Sequence, residues 1–237
     1  MRTEVLGVGF DAVTMDEAVS RALDWMKSRA GAVVCTPNPE IVWACRKDGA
    51  LRAAINGADL VLPDGVGILR GAAILGRSLP ERVAGVDFCR ALLGEMEGTV
   101  FLLGGKPGVA RKAAENLSRE YPRITVCGAA DGYFKEDGSV IREISASAPD
   151  LLLVCLGSPK QEFFMAKNHG ALNAGVMAGL GGSMDVLAGN VKRAPDWWIG
   201  RNLEWLYRLL QEPKRIKRQA VLPLYLMAVT AERLKHG

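Results

Sequence analysis

Short apolar runs alternate along the chain with stretches of helical periodicity. Each run ends in a turn rich in glycine, proline or polar residues, and the runs occupy residues 32–38, 59–65, 99–105, 124–134, 150–159 and 174–182. The stretches between them predict helices at residues 39–56, 86–96, 108–120, 139–147 and 160–168. Near-continuous apolar strands that alternate with helices are typical of a parallel sheet covered on both faces. The pattern therefore predicts an α/β domain with a mainly parallel sheet.

Polar and glycine residues follow the predicted strands, at the points where the strands end. They are Thr36 and Asn38, Asp64, Gly104 and Gly105, Asp131 and Tyr133, Ser158 and Gln161, and the segment 181–185. Because the carboxyl ends of parallel strands meet at one edge of an open α/β sheet, ligands bind along that edge. Glycines there let main-chain N–H groups and helix N-termini approach phosphate oxygens. The pattern predicts one extended site that spans six strand ends.

Two glycine-rich turns are candidate phosphate sites. The segment "LLGGKPGVA" places Gly104 and Gly105 between a strand and a helix, but it lacks both the GxGxxG pattern of dinucleotide-binding folds and the ending of a P-loop. A plain tight turn without a ligand remains the alternative interpretation. The segment "GLGGSMD" places Asp185 on the following helix, where an acidic side chain is suited to binding a ribose diol. Neither motif identifies a ligand alone.

The segment "LPDGVGI" places Asp64 directly after a buried strand. Two interpretations remain open for this carboxylate. In the first, Asp64 fixes the turn or caps the next helix. In the second, it is a general base, which requires an ionised group within hydrogen-bond reach of the hydroxyl that it activates.

Positive charge is concentrated towards the carboxyl terminus. The formal net charge is +4, and the residues from Arg201 onward contain eight basic side chains against three acidic ones. Spacings of seven and three place Arg208, Arg215 and Arg218 roughly on one helical face, provided that Pro213 kinks the helix rather than ending it. The apolar segment "AVLPLYLMAV" follows, about half as long as a membrane span. Basic residues beside a short apolar segment are typical of an interfacial membrane anchor.

The composition narrows the class of protein. The chain is 49% hydrophobic and 24% charged, which is ordinary for a soluble globular protein. Its start lacks the continuous apolar stretch of a signal peptide, and its five dispersed cysteines predict reduced thiols, so we expect a cytoplasmic location. With two histidines and no Asp-x-Asp pair, the sequence predicts no metal and no cofactor. A diphosphate ligand would then be bound by arginines and main-chain N–H groups.

Eight blocks of the sequence carry a wider resemblance. They occur in the order "TPNPEIV", "LPDGVGI", "LPERVAGVD", "LLGGKPGVA", "DGYF", "LGSPKQE", "GLGGSMDVLAGNVKRAP" and "LEWLYRLLQEPKRIKR". Over nearly the whole chain, their order and spacing resemble the WecG/TagA/CpsF family of glycosyltransferases. The resemblance implies a Rossmann-like α/β catalytic domain over residues 1–195. It also implies a helical, basic, membrane-associating appendage over residues 196–237.

The resemblance further implies an activity. In this family N-acetylmannosamine moves from UDP to the 4-hydroxyl of N-acetylglucosamine on undecaprenyl diphosphate, with inversion of the anomeric centre and without a metal. The implied partners are a UDP-sugar donor, a polyprenyl-diphosphate-linked acceptor and an anionic membrane surface. The implied location is peripheral, at the inner face of the cell membrane. A homo-oligomer remains an open possibility.

The matched motifs assign a catalytic role to five residues of this sequence. Asp64 matches the general base. Arg82, in "LPERVAG", matches another catalytically important position. The remaining three match polar residues near the sugars, and they are Thr36, Asn38 and Gln161.

Other matched residues belong to the donor site. Tyr133 and Asp185 match contacts to uracil and to the ribose hydroxyls, and the glycine turn of Gly104 and Gly105 lies in the same predicted region. The resemblance also implies that tail arginines complete the site over the donor diphosphate, and the matching residues are Arg208, Arg215 and Arg218.

Three other functions remain open. The first is the same family with a different UDP-sugar donor. The second is a nicotinamide-dependent oxidoreductase, although the missing GxGxxG pattern argues against it. The third is a nucleic-acid binder that uses the basic tail. Because Trp, Leu and Tyr side chains are interleaved with the basic residues of the tail, a lipid surface fits better, and we expect no nucleic-acid partner.

Overall fold

The computed structural model describes residues 2–191, 194–195, 197–198, 201, 204–211 and 220–236. Among these residues, six parallel strands form the main sheet, and an antiparallel hairpin forms a second, smaller sheet. The α/β fold with a parallel sheet is confirmed. The strands are β1 (Arg2–Val5), β2 (Val8–Asp11), β3 (Ala32–Cys35), β4 (Leu60–Val61), β5 (Gly98–Gly104), β6 (Ile124–Ala130), β7 (Leu151–Cys155) and β8 (Val176–Gly179).

Helices cover both faces of the main sheet. In the described part of the chain they are α1 (Met15–Ser28), α2 (Pro39–Cys45), α3 (Gly49–Asn56), α4 (Val66–Ile74), α5 (Gly85–Glu95), α6 (Val109–Glu120), α7 (Asp137–Ser147), α8 (Lys160–Leu172), α9 (Ser183–Leu187), α10 (Glu204–Gln211) and α11 (Val221–His236). Two buried apolar clusters lie on opposite faces of the sheet and are made by alternate residues of its strands.

The strand order of the main sheet is β4-β3-β8-β7-β5-β6. After β4 the chain crosses to β5 on the other side of the sheet, and β7 and β8 later fill the space between β5 and β3. A reversal of strand order leaves a crevice outside the carboxyl ends of the strands, which is where ligands bind in such sheets. The topology therefore places the candidate site beside β3, β8 and β7.

The structure divides one predicted helix into two and shortens one predicted strand. The helix predicted over residues 39–56 is two helices. The first ends at Cys45, and Asp48 caps the second by accepting a hydrogen bond from Leu51 N at 2.9 Å. The strand predicted at 59–65 is only two residues long, because Pro63 has no N–H group to donate to a ladder. The β1–β2 hairpin covers this short edge strand, and Asp11 Oδ2 accepts a hydrogen bond from Val61 N at 2.8 Å.

The C-terminal helix α11 packs against α2 and α4. Tyr225 and Val229 are fully buried in this contact. The opposite side of α11 exposes Leu224, Met227 and Leu234, whose exposed fractions are 46%, 67% and 79%. None of the described helices has the length and apolar character needed to cross a membrane.

Candidate active site

A cleft of about 1020 Å³ opens at the carboxyl-terminal edge of the main sheet. Residues that follow all six strands of the sheet line it, as the strand-end pattern predicted. Eight of the predicted site residues are among the lining residues, and they are Thr36, Asn38, Asp64, Arg82, Gly105, Tyr133, Gln161 and Asp185.

Asp64 and Arg82 are brought together by main-chain pairing. Asp64 lies after β4, and Val83 N donates a hydrogen bond to Pro63 O at 3.1 Å, which fixes the segment of Arg82 beside it. Arg82 Nη2 lies 3.4 Å from Asp87 Oδ2 at the start of α5, and both side chains are less than one-fifth exposed. The N-cap of α4 is Gly65, so Asp64 precedes the cap position. The structure thus holds a carboxylate and a guanidinium on the same wall of the cleft.

Thr36 already uses its hydroxyl hydrogen within the protein. Thr36 Oγ1 donates to Gly179 O at 2.9 Å, and the side chain is 8% exposed. It also packs against the start of α5, where a Cβ on Gly85 would lie 2.9 Å from Thr36 Oγ1. Because its one hydrogen is donated to the end of β8, the hydroxyl can offer a ligand only its lone pairs.

Asn38 caps α2 at the rim of the cleft. Its Oδ1 accepts a hydrogen bond from Ile41 N at 3.1 Å, so its Nδ2 amide group is the part left for a ligand. The next residue, Pro39, packs against α4, where a Cβ on Gly67 would come within 2.6 Å of the Pro39 ring. The close approach that Gly67 permits brings the starts of α2 and α4 to the same side of the cleft.

Gln161 lies at the floor of the cleft and is 2% exposed. Its Oε1 accepts a hydrogen bond from Gly181 N at 2.9 Å, and its Nε2 donates to Glu162 Oε1 at 3.0 Å. Glu162 is 4% exposed, and burial raises the pKa of its carboxyl, against the effect of hydrogen bonds that include those from Gln161 and Ser158. Gln161 therefore ties α8 to the turn after β8.

The glycine turn after β5 supports the part of the cleft that Gly105 lines. Gly104 has a φ of +136°, and a Cβ there would lie 2.2 Å from Cys155 O, so no larger residue fits. Gly104 ends β5 beneath the cleft, whereas Gly105 lines it. Gly105 O accepts a hydrogen bond from Gly132 N at 2.9 Å. This bond fixes the neighbouring loop, which presents Tyr133 with 68% of its surface exposed.

Asp185 lies on α9 and lines the cleft, and the neighbouring Met184 packs beside Gly105 of the glycine turn. Asp185 Oδ1 lies 3.4 Å from Asn190 Nδ2, and its main-chain oxygen accepts hydrogen bonds from Asn190 N and Val191 N. These contacts anchor the turn that follows α9. The carboxylate of Asp185 and the ring of Tyr133 thus border the part of the cleft next to the glycine turn.

The predicted tail arginines fall largely outside the described residues. Arg215 and Arg218 lie in the undescribed segment 212–219, and Arg208 belongs to α10 with a side chain outside the description. Other tail residues do line the cleft. They are Leu209 of α10, Ala220, and the apolar residues Leu222, Pro223 and Leu226 of α11.

Sequence reasoning missed some of the lining residues. Arg70 and Glu40 reach the cleft from α4 and α2, and Glu162 lies buried under it. A charged residue in the first turn of a helix ordinarily faces solvent, so helical periodicity gave no sign that Glu162 is buried. Its position directly after Gln161 in "LGSPKQE" was the available signal.

Metal-ligating side chains are not clustered in the part of the chain that the structure describes. There, no group of three His, Cys, Asp or Glu side chains lies close enough together to hold a metal ion. The described cysteines are free thiols, and Cys35, Cys45, Cys89 and Cys155 are buried. Burial raises the pKa of Cys155, which lines the cleft, to about 12, so its thiol stays protonated at neutral pH.

Comparison with known proteins gives one family. The sequence profile of the "Glycosyl transferase WecG/TagA/CpsF family" matches residues 3–237. A Bacillus spizizenii protein named N-acetylglucosaminyldiphosphoundecaprenol N-acetyl-beta-D-mannosaminyltransferase is 39% identical over 215 residues, which cover 90% of this chain and 82% of the relative. Proteins of the same name from Bacillus subtilis and Staphylococcus aureus are 38% and 32% identical, over 88% and 99% of this chain and 82% and 94% of the relatives.

Proposed function

This chain belongs to the WecG/TagA/CpsF family of glycosyl transferases, and we propose that it transfers N-acetylmannosamine from UDP to the 4-hydroxyl of N-acetylglucosamine on undecaprenyl diphosphate. One observation carries the proposal. Eight residues predicted from separate blocks of the sequence line a single cleft of about 1020 Å³. This volume is at the upper end of the range of about 300–1000 Å³ for ligand pockets, which suits a nucleotide sugar together with an acceptor sugar.

In the proposed reaction Asp64 is the general base. The acceptor O4 forms a bond to the anomeric carbon of the donor, and the bond from that carbon to the β-phosphate oxygen breaks. The proton of the hydroxyl goes to Asp64, and the electron pair of the broken bond leaves with UDP. Attack from the face opposite to UDP inverts the anomeric centre.

Charge develops on the leaving UDP, and fixed positive groups are proposed to stabilise it without a metal. Helices α4, α5 and α8 begin at the cleft, and the partial positive charge of a helix N-terminus favours phosphate. Arg70 and Lys106 line the same cleft. We also assign Arg208, Arg215 and Arg218 to the donor diphosphate, since electrostatic stabilisation of developing charge is usually the largest catalytic contribution.

The donor nucleoside is proposed to bind between the glycine turn and α9. The exposed ring of Tyr133 provides a stacking surface for uracil, and the Asp185 carboxylate accepts hydrogen bonds from the ribose hydroxyls. Thr36, Asn38 and Gln161 line the same cleft and are proposed to contact the two sugars.

We further propose that the protein associates peripherally with the inner face of the cell membrane. Two properties of the C-terminal part support this. Helix α11 exposes Leu224, Met227 and Leu234, and the residues from Arg201 onward are strongly basic. Apolar side chains and basic residues together bind an interface that contains anionic lipid.

The test is a transfer assay with a short-chain lipid-diphosphate N-acetylglucosamine as acceptor. UDP-N-acetylmannosamine should be used, UDP-N-acetylglucosamine and UDP-glucose should be poor donors, and activity should persist in EDTA. Preference for another UDP-sugar would favour the alternative donor. Liposome flotation with and without anionic lipid, beside a DNA mobility-shift assay, tests the membrane proposal, and binding to DNA alone would overturn it.

A further inference from the structure

Two adjacent polar side chains are buried where α8 begins, under the floor of the cleft. Gln161 is 2% exposed and Glu162 is 4% exposed. The Gln161 carboxamide bridges two groups, since its Oε1 accepts from Gly181 N at 2.9 Å and its Nε2 donates to Glu162 Oε1 at 3.0 Å. A main-chain N–H can only donate, and a carboxylate can only accept. The two bonds therefore hold the carboxamide in one of its two orientations.

An ionised carboxyl group at this buried position lowers the stability of the folded protein. Transfer of a charged group from water to a protein interior is unfavourable unless hydrogen bonds compensate, and glutamine would fill nearly the same volume without that cost. Compensation is partial among the described residues. Gln161 Nε2 donates to Glu162 Oε1 at 3.0 Å, whereas Glu162 Oε2 is buried without a hydrogen-bond partner, and burial raises the pKa of the carboxyl. A carboxylate also accepts a hydrogen bond more strongly than a neutral amide does.

The fixed orientation decides what Gln161 can offer a ligand. Its Oε1 accepts from Gly181 N, and one of its two Nε2 hydrogens is donated to Glu162, so the second Nε2 hydrogen is the donor that Gln161 can offer a ligand. Gln161 lies against Gly179, where a Cβ would be 3.2 Å from Nε2. Gly179 O also accepts the Thr36 hydroxyl. A donor on Gln161 and an acceptor on Thr36 therefore lie at the same strand end.

We propose that Glu162 is a positioning residue for glycosyl transfer, which holds the Gln161 carboxamide so that Nε2 donates to a sugar oxygen in the cleft. The substrate in this statement rests on the proposed function. The orientation of the carboxamide does not, because it follows from hydrogen bonds within the protein. Glu162 itself has no contact with substrate in this arrangement and acts through Gln161.

A double-mutant cycle tests the catalytic part. We expect Glu162→Gln to lower kcat/KM about tenfold, since a charge-assisted hydrogen bond is roughly twice as strong as a neutral one. In the Gln161→Ala background the same substitution should change kcat/KM less than about twofold, because no carboxamide is left to position. Glu143→Gln, an exposed carboxyl on α7, is the matched control and should leave kcat/KM unchanged. Equal effects of Glu162→Gln in both backgrounds would overturn the proposal.

A substrate-free measurement tests the orientation independently of the reaction. In protein with ¹⁵N-labelled glutamine side chains, the Gln161 resonances are identified by their loss in Gln161→Ala. The hydrogen that is bonded to Glu162 should resonate downfield, and Glu162→Gln should move it upfield while Glu143→Gln does not. An unchanged Gln161 resonance in Glu162→Gln would overturn the positioning role, even if the transfer assay succeeds. Failure of transfer with this shift present would count against the proposed function alone.

Discussion

The hydroxyl of Tyr225 donates a hydrogen bond to Gly67 O at 3.1 Å, although 158 positions separate the two residues. Tyr225 is fully buried, and burial raises the pKa of its hydroxyl. One turn further along α4, Gly71 leaves the space that the phenol fills, because a Cβ there would lie 2.2 Å from Tyr225 Oη. Neighbouring residues of α11, including Leu222 and Leu226, line the cleft. The contact therefore fixes one wall of the candidate active site.

Substitution Gly71→Ala should destabilise this contact. The added methyl group would overlap the Tyr225 hydroxyl, and overpacking of this kind typically costs about 1–3 kcal/mol. The free energy of unfolding from urea titration measures the effect. Tyr225→Phe alone should cost about 1 kcal/mol through its lost hydrogen bond.

The double variant Gly71→Ala/Tyr225→Phe tests whether overlap of the added methyl group with Tyr225 Oη causes the loss of stability. Removal of Oη takes away the closest contact and leaves Tyr225 Cζ, at 3.1 Å, as the nearest ring atom. We therefore expect the double variant to lose less free energy of unfolding than the two single variants lose together. Strict additivity would show that overlap between the added methyl group and Oη is not the source of the loss.

Sequence patterns predicted the sheet and several of its helices, but neither α4 nor its contact with α11. Glycine inside a helix costs roughly 1 kcal/mol of stability relative to alanine. Because Gly67 and Gly71 both lie in this segment, its sequence indicates a weak helix, and α4 was not predicted. The two glycines contribute to packing, because Pro39 and Tyr225 occupy the space that larger side chains at these positions would fill. Only the folded arrangement brings these partners together.

Most residues of the candidate site could be predicted because they follow the carboxyl ends of the strands. Thr36, Asp64 and Gln161 follow different strands, and parallel strands bring their carboxyl ends to one edge. The hydrogen bonds that occupy the Thr36 and Gln161 side chains could not be predicted. Thr36 is bonded to Gly179 and Gln161 to Gly181, and both partners are main-chain groups whose position depends on the turn after β8.

Substitution Asp64→Asn should abolish transfer while UDP-sugar binding remains. An amide cannot take the proton of the acceptor hydroxyl, yet it has nearly the same shape as the carboxylate. Transfer is measured with the lipid-diphosphate acceptor, and binding by calorimetry with UDP. A variant that transfers at the wild-type rate would exclude Asp64 as the base.

Substitution Thr36→Val should lower both stability and transfer, and Thr36→Ser should retain most of both. Valine has the same shape but cannot donate to Gly179 O, and a buried carbonyl left without its donor costs about 1–3 kcal/mol. Serine keeps the donor. Thermal unfolding and kcat/KM measured on the same preparations check the order of the three proteins, and equal stability of the valine and serine variants would contradict it.

Substitution Arg215→Ala tests the proposed role of the tail arginines in binding the donor diphosphate. Arg215 itself lies outside the described residues. Loss of one group that stabilises developing charge typically costs about a hundred- to a thousand-fold in rate, so turnover should fall by that factor while the circular dichroism spectrum stays unchanged. Arg233→Ala, which removes an exposed arginine of α11, is the matched control and should keep its turnover. Similar turnover of the two variants would overturn the proposed assignment of Arg215 to the donor site. These point variants are preferable to deletion of residues 196–237, because deletion would also remove the buried Tyr225.

The buried carboxyl of Glu162 should make stability depend on pH. Burial raises its pKa above the ordinary value of 4.5, so the folded state binds the Glu162 proton more tightly than the unfolded chain does. Its contribution to stability is fully present below the ordinary pKa and is lost as the pH rises through the raised pKa. The facing thiols of Cys35 and Cys45 also have raised pKa values, about 12 for Cys45, so they stay protonated over this range.

The Glu162→Gln variant has no ionisable group at this position, so its stability should lack this pH dependence. Relative to the variant, the wild-type protein should therefore lose free energy of unfolding as the pH rises above about 4.5, and the difference should level off once Glu162 is ionised in both states. Urea titrations of both proteins across this pH range measure the difference. The exposed control Glu143→Gln should run parallel to the wild type. A wild-type protein that gains stability over Glu162→Gln with rising pH would mean that the hydrogen bonds from Gln161 and Ser158 outweigh burial, and that Glu162 has a lowered pKa.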